Sequence, residues 1–268
     1  MKKFLALVMF LVLVLASSVA FAVKPESPQT RKTIIPIGAV EVAPGVYYLG
    51  HKISGGEFVE GFAFVHYREN SAKGGNGGGR RGASACYAFL AKGAKWKTIE
   101  PYVINPLNAR GLNEIFVTEN FEESILKWEY VAGTNVLGLG SATGETLAAD
   151  FEAPDDRNEA YFGDVAQNGA IAITVVWGVF GGPVNQRRLI EWDMVFDEVD
   201  FDWSASGEPS KMDFENIATH EIGHALGLSD LYEGRCSEQT MYGYASFGET
   251  KKRSLEAGDI AGIQALYG

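Results

Sequence analysis

The chain has 268 residues, room for one large domain or two small ones. It is 46% hydrophobic, 21% charged and 12% aromatic, which supports a buried core and excludes general disorder. The formal net charge is −11, with no basic stripe and no polybasic segment, so the chain lacks the features of nucleic-acid partners and anionic lipid surfaces.

The first residues have the grammar of a signal peptide. Lys2-Lys3 is a positive start, residues 4–16 are an unbroken apolar run, and Ala20-Phe21-Ala22 supplies a small-x-small cleavage pattern. The expectation is a cleaved leader over 1–22, a secreted, extracellular chain, and no membrane attachment after cleavage. An uncleaved anchor stays open, because the charge-free run stretches to Ala22.

Residues 23–70 read as a small β-rich N-terminal segment, either a propeptide or an accessory module. Its first part is polar, with Pro25 and Pro28; short strands follow over 34–40, 45–49 and 58–67. Residues 71–83 form a glycine-rich linker carrying Arg80-Arg81, a basic pair that a processing protease could cut. The main domain runs over 84–268. Strands are expected near 102–104, 158–165, 169–179 and 189–203. A helix is expected over 119–131, where Phe121, Ile125 and Trp128 recur at i, i+4, i+7. Interleaved strands and helices give an α+β class with a mixed sheet. Cys86 and Cys236 read as one disulfide in an exported chain. A Cys86 thiolate plugging a metal is the alternative.

The chemistry lies in 211–230. Phe214, Ile217, Ala218, Ile222 and Ala225 mark one apolar helical face. Ser210 and Asp213 have capping-box spacing, and Gly227 can take the positive φ that ends a helix. On this helix His220 and His224 stand one turn apart on one side, a spacing that suits two nitrogen ligands of a tetrahedral zinc. Glu221, beside the first histidine, suits a general base. Asp230, reached after the turn at Gly227, is the candidate third ligand.

His220-Glu221-x-x-His224-x-x-Gly227-x-x-Asp230 resembles the extended zinc signature of metzincin metallopeptidases. Thr240-Met241-Tyr242-Gly243 resembles their Met-turn, with Met241 beneath the metal, and residues 255–268 resemble the closing helix of the matrixin branch. The resemblance covers about 84–268, with its specific motifs in the last fifty residues. It implies a zincin catalytic domain: a twisted mixed sheet, an active-site helix and a C-terminal helix. It also implies one catalytic Zn2+ and polypeptide substrates hydrolysed by water that Glu221 deprotonates. The substrate would add as a strand along the edge at 169–176. Tyr242 and Tyr244 are candidates for oxyanion support, with packing as the alternative role. A monomer is expected.

Two departures stand out. Matrixins use a third histidine where this chain has Asp230, as snapalysin-type metzincins do. Matrixins also carry a structural zinc on further histidines. Only His51 and His66 remain here, so no such second zinc is expected. Ca2+ could lie at Asp150, Asp155, Asp156 or within 191–202, against the alternative of a solvated acidic face. Two other readings remain open. One is a thermolysin-like site with Glu249 or Glu256 as third ligand. The other is a secreted non-catalytic binding or surface protein that retains a zinc site.

Overall fold

The structure is a computed structural model that describes residues 32–69 and 86–268. The expected leader and glycine-rich linker lie outside the described residues. In chain order the strands are β1 (Lys32–Thr33), β2 (Val40–Ala43), β3 (Val46–Ser54), β4 (Glu57–Arg68), β5 (Glu100–Asn105), β6 (Leu137–Ala142), β7 (Asn158–Val165), β8 (Ala170–Val179), β9 (Arg188–Asp197), β10 (Trp203–Ser204), β11 (Met212–Asp213) and β12 (Tyr244–Ala245). The helices are α1 (Glu114–Ala132), α2 (Phe214–Ala225) and α3 (Ala257–Tyr267).

One mixed sheet runs in the order β2-β3-β4-β8-β9-β7-β5-β6, with β1 on β7 and β12 on β4. β5, β6, β7 and β9 run parallel to their neighbours within this group, and β8 reverses against β9. The α+β architecture is therefore as expected. β8 is buried along nearly its whole length, which explains its near-continuous apolar sequence.

α1 begins earlier than the apolar stripe alone suggests. The Asn113 side chain accepts the Phe116 N–H and starts the helix there, and Gly133 closes it at φ 70°. Phe121, Ile125 and Trp128 are buried together, and the Trp128 indole N–H donates to the Thr219 carbonyl of α2 at 2.8 Å. α1 thus fixes the height and rotation of the helix that carries the histidines.

At the other end of the chain, α3 follows a capping box made by Glu256 and Asp259. Cys86 and Cys236 form a disulfide, which joins the first described residue after the linker to the loop beyond the histidine helix. The thiolate alternative for Cys86 is thereby excluded.

The strand register overturns one expectation. In the intact chain β8 is not a free edge: it holds β9 on one side and β4 on the other. The reason is that the alternating residues of β4 bring apolar side chains onto the core face of the same sheet, with Phe64 fully buried.

Candidate active site

α2 is capped by Asp213, not Ser210. The Asp213 Oδ1 accepts the Asn216 N–H at 3.1 Å, and its carboxylate also takes the Arg253 guanidinium. The opposite end stops at Gly227, whose φ is +98°. A Cβ there would stand 2.8 Å from the Ala94 carbonyl oxygen, so both conformation and space require glycine. The freed carbonyls of the last turn are taken up by neighbours: the Trp96 indole donates to Ala225 at 2.8 Å and the Tyr267 hydroxyl to Leu226 at 3.0 Å.

This turn returns the chain so that Asp230 meets both histidines. Asp230 Oδ1 lies 3.2 Å from His220 Nε2 and 3.5 Å from His224 Nε2, and the two Nε2 atoms are 3.2 Å apart. Each histidine uses its other nitrogen as a donor. His220 Nδ1 bonds the Thr240 carbonyl at 2.7 Å and His224 Nδ1 bonds the Leu228 carbonyl at 3.1 Å. With the protons placed on Nδ1 by those carbonyls, the lone pairs on both Nε2 atoms face one another and a carboxylate oxygen.

That arrangement fits a cation. Asp230 Oδ1 is buried and accepts no hydrogen bond, which is costly unless a metal ion takes its place as partner. Two imidazoles and one carboxylate are a zinc donor set. Burial lowers His220 to about 4, helped by the Lys252 ammonium, so its neutral, ligating form prevails at neutral pH.

Glu221 points into the same space. Its Oε2 accepts the Thr174 hydroxyl at 2.6 Å and its Oε1 lies 3.0 Å from His66 Nδ1. Burial pushes its carboxyl up to about 7, into the range useful for proton transfer near neutrality.

Met241 lies 2% exposed under the helix, and a Cβ on Gly223 would stand 2.2 Å from its sulfur. Asp259 holds this turn, accepting the Thr240 N–H at 2.8 Å and the Met241 N–H at 3.1 Å. Tyr242 and Tyr244 pack on each other at 5.8 Å between ring centroids. The tyrosine whose hydroxyl touches Asp230 is Tyr232, which donates to Oδ2 at 3.1 Å and also contacts the Pro44 carbonyl. Glu249 accepts from Asn216, and Glu256 caps α3; Asp230 is the carboxylate beside the histidines.

Several members of this site carry no local sequence signal. Tyr232, Thr174, Asp259 and Lys252 come together only by tertiary folding. Lys252 is the least expected: it sits between two other basic residues, yet it is fully buried, with Nζ 3.2 Å from His66 Nε2 and in contact with the Tyr242 carbonyl. Burial lowers its pKa to about 8.

A second acidic group lies outside the site. Ligand atoms of Asp150, Asp155 and Glu191 lie within 4.8 Å of one another. Glu191 Oε1 is buried without a partner, and burial together with its acidic neighbours raises its pKa to about 8. Asp197, by contrast, is occupied with the backbone N–H groups of Val165, Val199 and Asp200.

A paired-histidine helix, a carboxylate returned by a glycine turn, and this sheet order define a zinc metallopeptidase domain. Comparison with known proteins narrows the class. A family profile described as Matrixin matches residues 101–268, and the chain belongs to that family. It is 36% identical over 181 residues to Metalloendoproteinase 2-MMP of Arabidopsis thaliana, covering 61% of this chain and 42% of that protein. It is 40% identical over 76 residues to Matrilysin of Rattus norvegicus, covering 28% of this chain and 27% of that protein. Macrophage metalloelastase of Oryctolagus cuniculus is 38% identical over 76 residues, covering 28% and 15%. The chain spans less than half the length of these curated relatives.

Proposed function

We propose that this chain is a secreted zinc-dependent endopeptidase in which His220, His224 and Asp230 hold the metal and Glu221 is the general base. The observation that carries the reading is the convergence of two imidazole lone pairs and an unpartnered buried carboxylate oxygen beside Glu221. Bound zinc supplies Lewis-acid polarisation of the scissile carbonyl and lowers the pKa of the attacking water. Glu221 takes the proton from that water and returns it to the leaving amine. Thr174 orients the carboxylate for this by donating to Oε2. Tyr232 and the two backbone carbonyls orient the metal ligands in the same way. Met241 floors the site, and Tyr242 or Tyr244 contributes oxyanion support once a peptide is bound.

Asp230 in place of histidine adds a negative charge to the metal environment, so the attacking water should be less acidic than beside three histidines. Secretion rests on the sequence of residues 1–22, and the disulfide is what an oxidising compartment permits. Among the described residues no helix is long and apolar enough to cross a membrane. Residues 23–70 act as a propeptide, 71–83 as the tether and 84–268 as the catalytic domain. The test is hydrolysis of denatured casein by zinc-loaded protein freed of its N-terminal segment. Hydrolysis should stop with a chelator and return with zinc. Absence of hydrolysis in protein carrying one zinc would refute the reading.

A further inference from the structure

β4 occupies the place where a substrate strand would add. It pairs antiparallel with β8 from Glu60 opposite Gly178 to Tyr67 opposite Ala170. On its other side β4 pairs antiparallel with β3, from Val46 opposite Phe64 to Ser54 opposite Glu57, and beyond β3 Tyr67 and Arg68 pair in parallel with Tyr244 and Ala245 of β12. The Arg68 N–H donates to the Gly169 carbonyl at 2.9 Å, and the Glu69 N–H donates to the Ala245 carbonyl at 2.8 Å. The end of β4 therefore fills a slot between β8 and β12, and the rest of it covers the β8 edge, which can hold only one extended chain at a time.

Its side chains close the site as well. Alternate residues of a strand share a face, which places Phe64 and His66 together over α2. The Phe64 ring stacks on His224 at 4.2 Å between centroids, and the His66 ring lies 3.9 Å from His220. His66 Nδ1 engages Glu221 Oε1 while Thr174 holds Oε2, so both oxygens of the carboxylate are taken. His66, His220, Glu221 and His224 are each at most 1% exposed. A peptide hydrolase has to admit water and an extended peptide, and this arrangement admits neither.

We propose that β4 is an internal occupant of the substrate cleft that holds the chain latent, with His66 engaging Glu221 until the strand is displaced. The proposal rests on the endopeptidase reading. It names a histidine-bearing strand as the blocking element, the one cysteine near the domain start being tied up in a disulfide. That same disulfide keeps residue 86 fastened to the loop beyond α2. A cut before Cys86 therefore severs the covalent tie of β4 to the rest while the disulfide still holds the loop beyond α2.

The experiment uses the full chain with a specific protease sequence substituted into residues 71–83, loaded with zinc. Binding of a peptide hydroxamate, a metal-chelating probe of the cleft, is measured before and after cutting, together with amide exchange of β8 and casein hydrolysis. The uncut chain should bind the probe at least a hundredfold more weakly than the cut chain. Its β8 amides should be protected, and casein should stay intact. Adding a synthetic peptide of residues 57–68 to the cut chain should weaken probe binding again. If the cut fragment stays bound, the double variant Phe64→Ala/His66→Ala in the uncut chain loosens the strand. Probe affinity should then rise at least tenfold. Equal probe binding by uncut, cut and double-variant chains overturns the proposal. A cut chain that gains probe binding but hydrolyses nothing leaves the latent strand standing and removes the endopeptidase reading instead.

Discussion

The Nε2 atoms of His220 and His224 face each other at 3.2 Å, each with its proton held on the far nitrogen by a backbone carbonyl. Two lone pairs directed at one buried point are unfavourable without a cation between them. Zinc should therefore stabilise the fold as well as equip the site. A ligand present at 100 times its dissociation constant stabilises by about 2.7 kcal/mol, a shift of several degrees in Tm. Calorimetry with zinc and with excess chelator should show that rise; identical melting curves would mean no metal binds there.

Tyr232 positions Asp230 through its hydroxyl at 3.1 Å. Tyr232→Phe keeps the ring and removes the donor. Partners of this kind typically contribute ten- to a hundredfold to metal affinity, so zinc affinity should fall by roughly that factor. Competition against a fluorescent chelator measures it, and unchanged affinity would leave the Tyr232 contact without a role in ligation.

Gly223 and Met241 are matched in size. Gly223→Ala would place a methyl 2.2 Å from the methionine sulfur and 3.1 Å from the Trp128 ring. The expected cost is about 1–3 kcal/mol of overpacking. Adding Met241→Ala to that variant should recover part of it, because the two residues share one space. Urea unfolding of the two singles and the double gives the coupling; strict additivity would contradict the close packing seen here.

The acidic group around Glu191 sets a pH dependence away from the active site. Burial, then its acidic neighbours, raise Glu191 to about 8, Asp193 moves in the same direction, and Asp150 rises to about 6. The folded chain therefore binds protons that the unfolded chain has already released above its ordinary carboxylate pKa. Stability should fall as pH rises from about 4.5 towards about 8, then level off. Glu191→Gln should flatten much of that slope, measured by chelator-treated thermal unfolding across the window. A variant with the parent slope would show that this group does not carry the dependence.

Much of the site was legible because it is local. His220, Glu221 and His224 share one helical turn, and Gly227 and Asp230 follow within six residues, so periodicity and turn chemistry suffice to gather them. The buried stripe of α1 was readable for the same reason. What escaped is what folding brings from afar. The 58–67 alternation announces a strand but not its partner, so β8 read as a free edge. His66 belongs to no motif and Lys252 stands between Lys251 and Arg253, yet both are buried, since burial by distant elements leaves no local pattern. Asp259 belongs visibly to a helix start, whereas its grip on the Met241 turn depends on where that helix docks.

Glu221 and Asp230 have different jobs, and one paired measurement separates them: zinc content and casein hydrolysis on the released catalytic part of Glu221→Ala and Asp230→Ala. Glu221→Ala should retain one zinc per chain and lose at least about a thousandfold in hydrolysis, consistent with loss of a general base. Asp230→Ala should lose the metal and the activity together. Hydrolysis that survives Glu221→Ala, or full zinc retention with activity in Asp230→Ala, would contradict the account.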